Sequence, residues 1–299
     1  MKKFIALLLT VVLTATVAVG GTLAYLQDTE TAHNVMTLGN VQITQNEYQR
    51  VQNADGTYPT QNIDGINSYI LENYDNTGKA LYPAIIPNGG TVNGVKWDYD
   101  KDASVRMTQV DSWGTADVFV TPNAMDKFVT VTNKGTSDAY VRTLIAFEAG
   151  IELSDPAFPD QDLIATEMRA AEAAKNTDFH QPWTVTSEAY MMIDGEQYLV
   201  CELLYTGAKL SNGSFRHENG VLPAGATTYP SLCQVYMASR ATNEDCEALD
   251  GNDNGVYDIL VLSQAVQVEG FETATLALDT AFGDVTAANV QKWFGTTNP

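Results

Sequence analysis

The feature that most constrains this chain is a recurrent short alternation of apolar and polar residues, cut repeatedly by Gly, Asn, Asp and Pro. Strand side chains alternate between the two faces of a sheet, so this period of two marks antiparallel β-structure. Residues 35–47 (VMTLGNVQITQNE) put Val41 and Ile43 on one face and Gln42 and Thr44 on the other. Residues 127–133 (KFVTVTN), a turn at Lys134-Gly135 and residues 139–149 follow. In the last of these Val141, Thr143, Ile145 and Phe147 point one way, and Arg142 and Glu148 the other. That pattern predicts one buried and one wet face. Asp194-Gly195-Glu196 joins 183–193 to 197–205 as a hairpin. Further strands are expected at 105–110, 228–238 and 256–268.

Helical patterning is confined to three places. The Ala/Glu-rich run 161–175 (QDLIATEMRAAEAAK) predicts an inserted helix within 160–176, with Asp160 as N-cap and Leu163, Met168 and Ala171 on its apolar side. Residues 271–282 and 285–294 predict two short closing helices, with Thr286 as a cap. Residues 57–100, rich in Asn, Gly and Tyr, read as a long decorated loop with short strands. The expected fold class is mainly β: an antiparallel β-sandwich in the jelly-roll or Greek-key range, one domain over residues 25–299.

Residues 1–24 read as a signal peptide. Lys2 and Lys3 precede an uncharged apolar run that is shorter than the ~20 residues of a spanning helix. Thr22-Leu23-Ala24 places small residues at −3 and −1, so cleavage is expected between Ala24 and Tyr25. The competing reading is an uncleaved N-terminal anchor. The carboxyl end, GTTNP, carries neither an apolar tail nor a sorting signal, so no stable membrane anchor is expected after cleavage.

The chain holds 16 Lys+Arg against 37 Asp+Glu, a formal charge of −21. Binding to nucleic acid or to anionic bilayers needs clustered cations, and neither is expected here. A hydrophobic content of 44% excludes charge-driven disorder. Three cysteines do not make a disulfide scaffold. Cys201 is expected to be buried, and whether Cys233 and Cys246 pair is left open.

The stretch GGTLAYLQDTETAHNVMTLGNVQI (20–43) and the block VTVTNKGTSDAYVRTLIAFE (129–148) resemble the TasA/camelysin family of Gram-positive secreted proteins. The resemblance implies a leader of the type cut by the signal peptidase SipW, and a jelly-roll subunit that polymerises into biofilm-matrix fibres. It further implies that the freed segment Tyr25-Leu26-Gln27-Asp28-Thr29-Glu30 completes the sheet of the next subunit. The residues support the same mode, because 25–34 is extended-capable with no helical period, and an unpaired terminal strand seeks an acceptor edge. In the competing reading the segment frays or packs on its own sheet. Because the acidic subunits repel one another, fibre formation is expected to accelerate as pH falls towards the pI near 4.2. A light-scattering rate that stays flat from neutral to acidic pH would count against this.

Catalytic motifs are sparse. His33, His180 and His217 are too dispersed for the H-E-x-x-H pattern of a zincin, and no nucleophile elbow, Walker loop or dinucleotide fingerprint occurs. The chain is therefore read as a structural protein, not an enzyme. The alternatives are a monomeric surface adhesin using the aromatics of 57–100 (Tyr69, Tyr74, Tyr82 and Trp97 among them) and a camelysin-like metallopeptidase. The one ion-binding candidate is Asp250, Asn252, Asn254 and Asp258, which open like a weak calcium loop with Gly255 at the sixth position. Val261 stands where a bidentate Glu is expected, which favours an acidic turn instead.

Overall fold

The computed structural model describes residues 24–27, 35–38, 41–54, 58–63, 66–75, 79–81, 91–92, 95–96, 125–148, 154–155, 158–162, 164–168, 170–172, 182–209, 215–237, 242–252 and 254–295. In chain order the first strands are β1 (Ala24–Gln27), β2 (Val35–Leu38), β3 (Ile43–Arg50), β4 (Thr60–Ile63), β5 (Ile66–Tyr69), β6 (Leu71–Asn73), β7 (Lys79–Leu81), β8 (Thr91–Val92) and β9 (Val95–Lys96). There follow β10 (Met125–Asp126), β11 (Phe128–Asn133), β12 (Ala139–Glu148), β13 (Ser154–Asp155), β14 (Phe158–Asp162), β15 (Ile164–Met168) and β16 (Ala170–Glu172). The chain then gives β17 (Trp183–Ile193), β18 (Glu196–Tyr205), β19 (Ala208–Lys209), β20 (Phe215–Arg216), β21 (Leu232–Met237) and β22 (Val256–Gln267). Among the described residues the α-helices are α1 (Asn243–Leu249), α2 (Ala274–Phe282) and α3 (Ala287–Phe294). The protein is mainly β, with largely antiparallel sheets and few helices, as the alternation predicts.

The main sheet runs β16-β17-β18-β12-β22 and ends in the amino-terminal strands. β17 and β18 are joined by Asp194-Gly195, whose φ values of 51° and 98° suit a tight hairpin turn. In the other sheet β3 pairs with β6 and β11. Hydrogen bonds from the backbone N–H groups of Thr228 and Ser231 to the carbonyls of Val131 and Val129 extend that sheet beyond β11. Lys127 N–H, between β10 and β11, donates to Cys233 O at 2.9 Å and continues the contact into β21. One buried cluster draws Val129, Val131 and Val235 from this side and Val141, Ile145, Phe147, Leu203, Ile259 and Val261 from the main sheet. Each such side chain removed from water contributes about 1.5–3 kcal/mol before entropy is counted.

Three expectations are corrected. The described residues of 161–175 are not helical: β14, β15 and β16 take up 158–162, 164–168 and 170–172, and β15 pairs antiparallel with β21 while Ile164 enters the core. Helix propensity is a weak prior, and a strand edge that gains a ladder overrides it. The second face of β12 is not wet, since all ten of its residues are buried. Helices α2 and α3 cover that face, with Val290, Trp293 and Phe294 packing on Leu144, Ala146, Val200 and Leu262, and Ala277 and Leu278 on Tyr140 and Val266. Arg142, 1% exposed, escapes an uncompensated burial by donating to Gln264, Glu202, Asp279 and the Gly283 carbonyl. Residues 35–47 are not one strand: β2 joins the main sheet and β3 the other, although Val41 and Ile43 are buried as predicted.

Other readings match. The terminal helices begin at Thr273 and Thr286 caps, whose hydroxyls accept from Leu276 N–H and Asn289 N–H. Cys201, Cys233 and Cys246 are all buried and no disulfide joins them. Burial, helped by Glu188, pushes the Cys201 thiol up to about 12, which makes it inert. The expected strand at 105–110 lies outside the described residues.

Candidate functional site

The amino-terminal segment meets the sheet along β22. That strand is buried almost throughout (VYDILVLSQAVQ), because the second sheet covers one of its faces and the terminal helices the other. Its one edge carries β12, in register from Ala139 opposite Gln267 to Phe147 opposite Ile259. Its other edge carries the amino terminus. β1 runs parallel to it with Tyr25 opposite Val256, Leu26 opposite Tyr257 and Gln27 opposite Asp258, and β2 runs parallel with Val35 opposite Ser263 through Leu38 opposite Val266.

The expectation that the freed amino end is an unmatched ribbon is therefore corrected for residues 24–27. β1 is paired on both edges, with β22 and antiparallel with β7, so its ladder is met within one chain. The competing expectation, packing on the chain's own sheet, describes these residues. The physical reason is that β22 is twelve residues long and β12 occupies only one edge, leaving the other to any strand that can reach it. Of the predicted donor residues, Tyr25, Leu26 and Gln27 lie in β1, while Asp28, Thr29 and Glu30 lie outside the described residues. So does the leader up to Ala24, which is itself the first residue of β1.

The start of β22 is held by the acidic turn. Asp250 Oδ1 accepts from Asn254 N–H and its Oδ2 from Gly255 N–H, Asn252 Oδ1 accepts from Asn254 N–H, and Asn254 Oδ1 from Val256 N–H at 2.7 Å. These oxygens close Asx-type turns, the local competition that Asp and Asn offer the backbone. These bonds hold the described residues of the segment as an acidic turn. Asp258 sits apart in β22, 9% exposed. Among the described residues no group of three or more His, Cys, Asp or Glu is placed to hold a metal ion.

Glu148, the last residue of β12, is the group that sequence reasoning misplaced on a wet face. It is fully buried, its Oε1 accepts from Gly251 N–H at 3.1 Å, and its Oε2 accepts from Asp258 N–H at 2.9 Å. Where the β12–β22 ladder stops, at Phe147 opposite Ile259, this carboxyl takes over as acceptor. Burial, reinforced by the charges of Asp258 and Asp250, pushes it up to about 7 against the pull of its two N–H donors. The signal available in the sequence was only position, one residue from the end of a strand. Helix α1 was also missed, although its Thr242…Asp245 capping box is legible in ATNEDCEAL.

The described aromatics of 57–100 take part in packing. Tyr69 is buried beside Phe128 and Cys233, Tyr58 stacks on Arg50 at 4.0 Å, and Tyr74 faces the Lys127 ammonium at 4.4 Å. Tyr82, Trp97, His33 and His180 lie outside the described residues. His217 pairs its Nδ1 with the Tyr205 hydroxyl at 2.8 Å. Among the described residues no helix is long and apolar enough to cross a membrane. No protein-family model, curated protein or solved structure matches the chain.

Proposed function

We propose that the chain is an exported structural subunit of an extracellular matrix fibre, built on a jelly-roll-like β-sandwich and assembled by exchange of its amino-terminal strands. The observation that carries this reading is the parallel placement of β1 and β2 along one edge of β22. Two short terminal strands lying on the edge of a twelve-residue strand can leave it without disturbing the ladder with β12, and the same edge of a second copy accepts them in identical register. Assembly is then a swap between equivalent slots and not the filling of a vacant groove. A leader of the SipW-dependent type, as in the TasA/camelysin resemblance, holds the segment at the membrane until it is cut before Tyr25. Self-polymerisation follows release, and the signal peptidase is the other partner. The reading includes neither a catalytic site nor a cofactor.

The test compares chains beginning at Tyr25 with chains lacking residues 25–38. The first is expected to shift to polymer in size-exclusion chromatography and light scattering, and the second to remain monomeric with unchanged far-UV circular dichroism. Undiminished fibres from the shortened chain would defeat the reading.

A further inference from the structure

We propose that Asn254-Gly255 is a self-modification site, at which the Gly255 backbone nitrogen attacks the Asn254 side-chain amide and expels ammonia. The cyclic imide so formed is opened by water to aspartate or isoaspartate. Such an attack needs an accessible backbone nitrogen, a base for its proton and a donor for the oxygen that gains charge. Gly255 meets the first need. It is exposed with φ 80°, and a Cβ at this position would meet nothing within 4 Å, so the amide lies open to water. Asp250 meets the second, because its Oδ2 accepts the Gly255 N–H at 2.6 Å. Val256 meets the third, because its N–H donates to Asn254 Oδ1 at 2.7 Å. The ring closed by that last bond contains both Asn254 Cγ and the Gly255 nitrogen, so electrophile and nucleophile are held on one short loop.

The only co-reactant is water. As the bond from nitrogen to Cγ forms, the Gly255 proton passes to Asp250 Oδ2 and the carbonyl electron pair moves onto Asn254 Oδ1, where Val256 N–H holds it. Collapse of the tetrahedral centre breaks the bond from Cγ to Nδ2, and the proton on Asp250 leaves with that nitrogen as ammonia. One water then opens the imide. Addition at the side-chain carbonyl gives aspartate, and addition at the main-chain carbonyl gives isoaspartate, with one extra methylene in the main chain. The imide has no Gly255 N–H, so the turn ahead of β22 loses its bond to Asp250 at the first step. Either product then places a carboxylate beside Asp250, whose Oδ1 accepts the Asn254 N–H. The site needs only this turn and stands apart from the strand-exchange reading.

Asn219-Gly220 is the same dipeptide in a different setting, and it serves as an internal reference. Gly220 is buried, its N–H donates to the His217 carbonyl at 3.2 Å, and a Cβ there would collide with the Tyr205 carbonyl. A carbonyl oxygen is no base for an amide proton, and the packed backbone resists the rotation that ring closure requires. Any difference in rate between the two asparagines therefore reports what surrounds them and not the dipeptide. Further Asn-Gly steps, beginning at 88, 93 and 212, lie outside the described residues.

Peptide mapping by mass spectrometry tests the site, on full-length chain aged at neutral pH with a chelator present. Asn254 is expected to convert at least about tenfold faster than Asn219, to a mixture of aspartate and isoaspartate. Equal rates at the two positions overturn the proposal. Asp250→Asn keeps an acceptor for the Gly255 N–H but removes the base, and is expected to slow Asn254 on the order of ten- to a hundredfold while leaving Asn219 unchanged. An unchanged rate at Asn254 in D250N overturns the proposal, and so does a faster one, which would show that the Asp250 bond only clamps the turn. If D250N does not fold, the unaltered chain aged in urea decides. Unfolding separates Asn254 from its base and donor, so its rate is expected to fall to that of Asn219, and an Asn254 that reacts as fast or faster when unfolded defeats the inference.

Discussion

Arg142→Ala is expected to lower the unfolding free energy by about 3–5 kcal/mol, the range for removing one partner of a buried ion pair. The guanidinium is the hub between the main sheet and the helical layer. It donates from Nε to Gln264 at 2.6 Å, from Nη1 to Glu202 and Asp279 at 3.0 and 2.8 Å, and from Nη2 to the Gly283 carbonyl at 2.7 Å. It also lies 5.4 Å from the Trp293 ring centre. Truncation strands two carboxylates and a carbonyl at the seam where α2 meets the sheet, and each loses a charge-assisted bond. Arg142→Lys is expected to recover little, because one ammonium cannot replace a planar fork with acceptors on four residues. Urea denaturation followed by tryptophan fluorescence checks this. A loss below about 1 kcal/mol, no more than a surface pair contributes, would show that apolar contacts alone hold the terminal helices.

Asp126→Ala is expected to cost a similar amount, about 3–5 kcal/mol, in the other sheet. Asp126 receives Arg50 Nε and Nη2, both at 2.7 Å, the Arg50 backbone N–H at 3.0 Å and Gln234 Nε2 at 2.8 Å. Burial alone would lower the Arg50 pKa, and the Asp126 carboxylate outweighs it, so the net direction is upward. Removing the carboxylate takes two short charge-assisted bonds from a guanidinium whose side chain is fully buried, against the faces of Tyr58 and Tyr69 at 4.0 and 5.0 Å. The double variant Arg50→Met, Asp126→Leu is expected to regain most of the loss, since it exchanges two desolvated charges for apolar volume. Equal instability of the single and double variants would instead assign Arg50 the role of ordering the two tyrosines.

The sequence reading succeeded where the local signal and the tertiary environment agree. Asp194-Gly195 can adopt the positive φ values of a two-residue turn, so the β17–β18 hairpin is legible from those residues. Thr286 caps its helix because its hydroxyl finds the Asn289 N–H three residues on. The turn in VTNKGTSDAY falls where it was read, because fully buried Asn133 donates to Ser137 O and Leu222 O and accepts from Gly135 N–H, but the flanking strands are not a hairpin: β11 pairs with β3 and β12 with β18 and β22.

It failed where a distant element decided the outcome. Residues 161–175 carry a helical composition, and only the presence of β21 as a partner makes β15 a strand. Arg142 and Glu148 alternate with apolar neighbours just as solvent-facing residues do, and nothing local reveals that two helices beginning over 120 residues later cover that face.

Composition, period and turn chemistry by themselves determined the β class, the main hairpin, the terminal helices with the Thr286 cap and the inward face of β12, because each depends on interactions within a few residues. Only the tertiary structure decided that β1 and β2 lie parallel to β22, that a helical layer closes the outer face, and that Glu148 ends buried beside Asp258. Those outcomes depend on which edges and faces remain uncovered once the other strands are in place, and that competition is absent from any local stretch of residues.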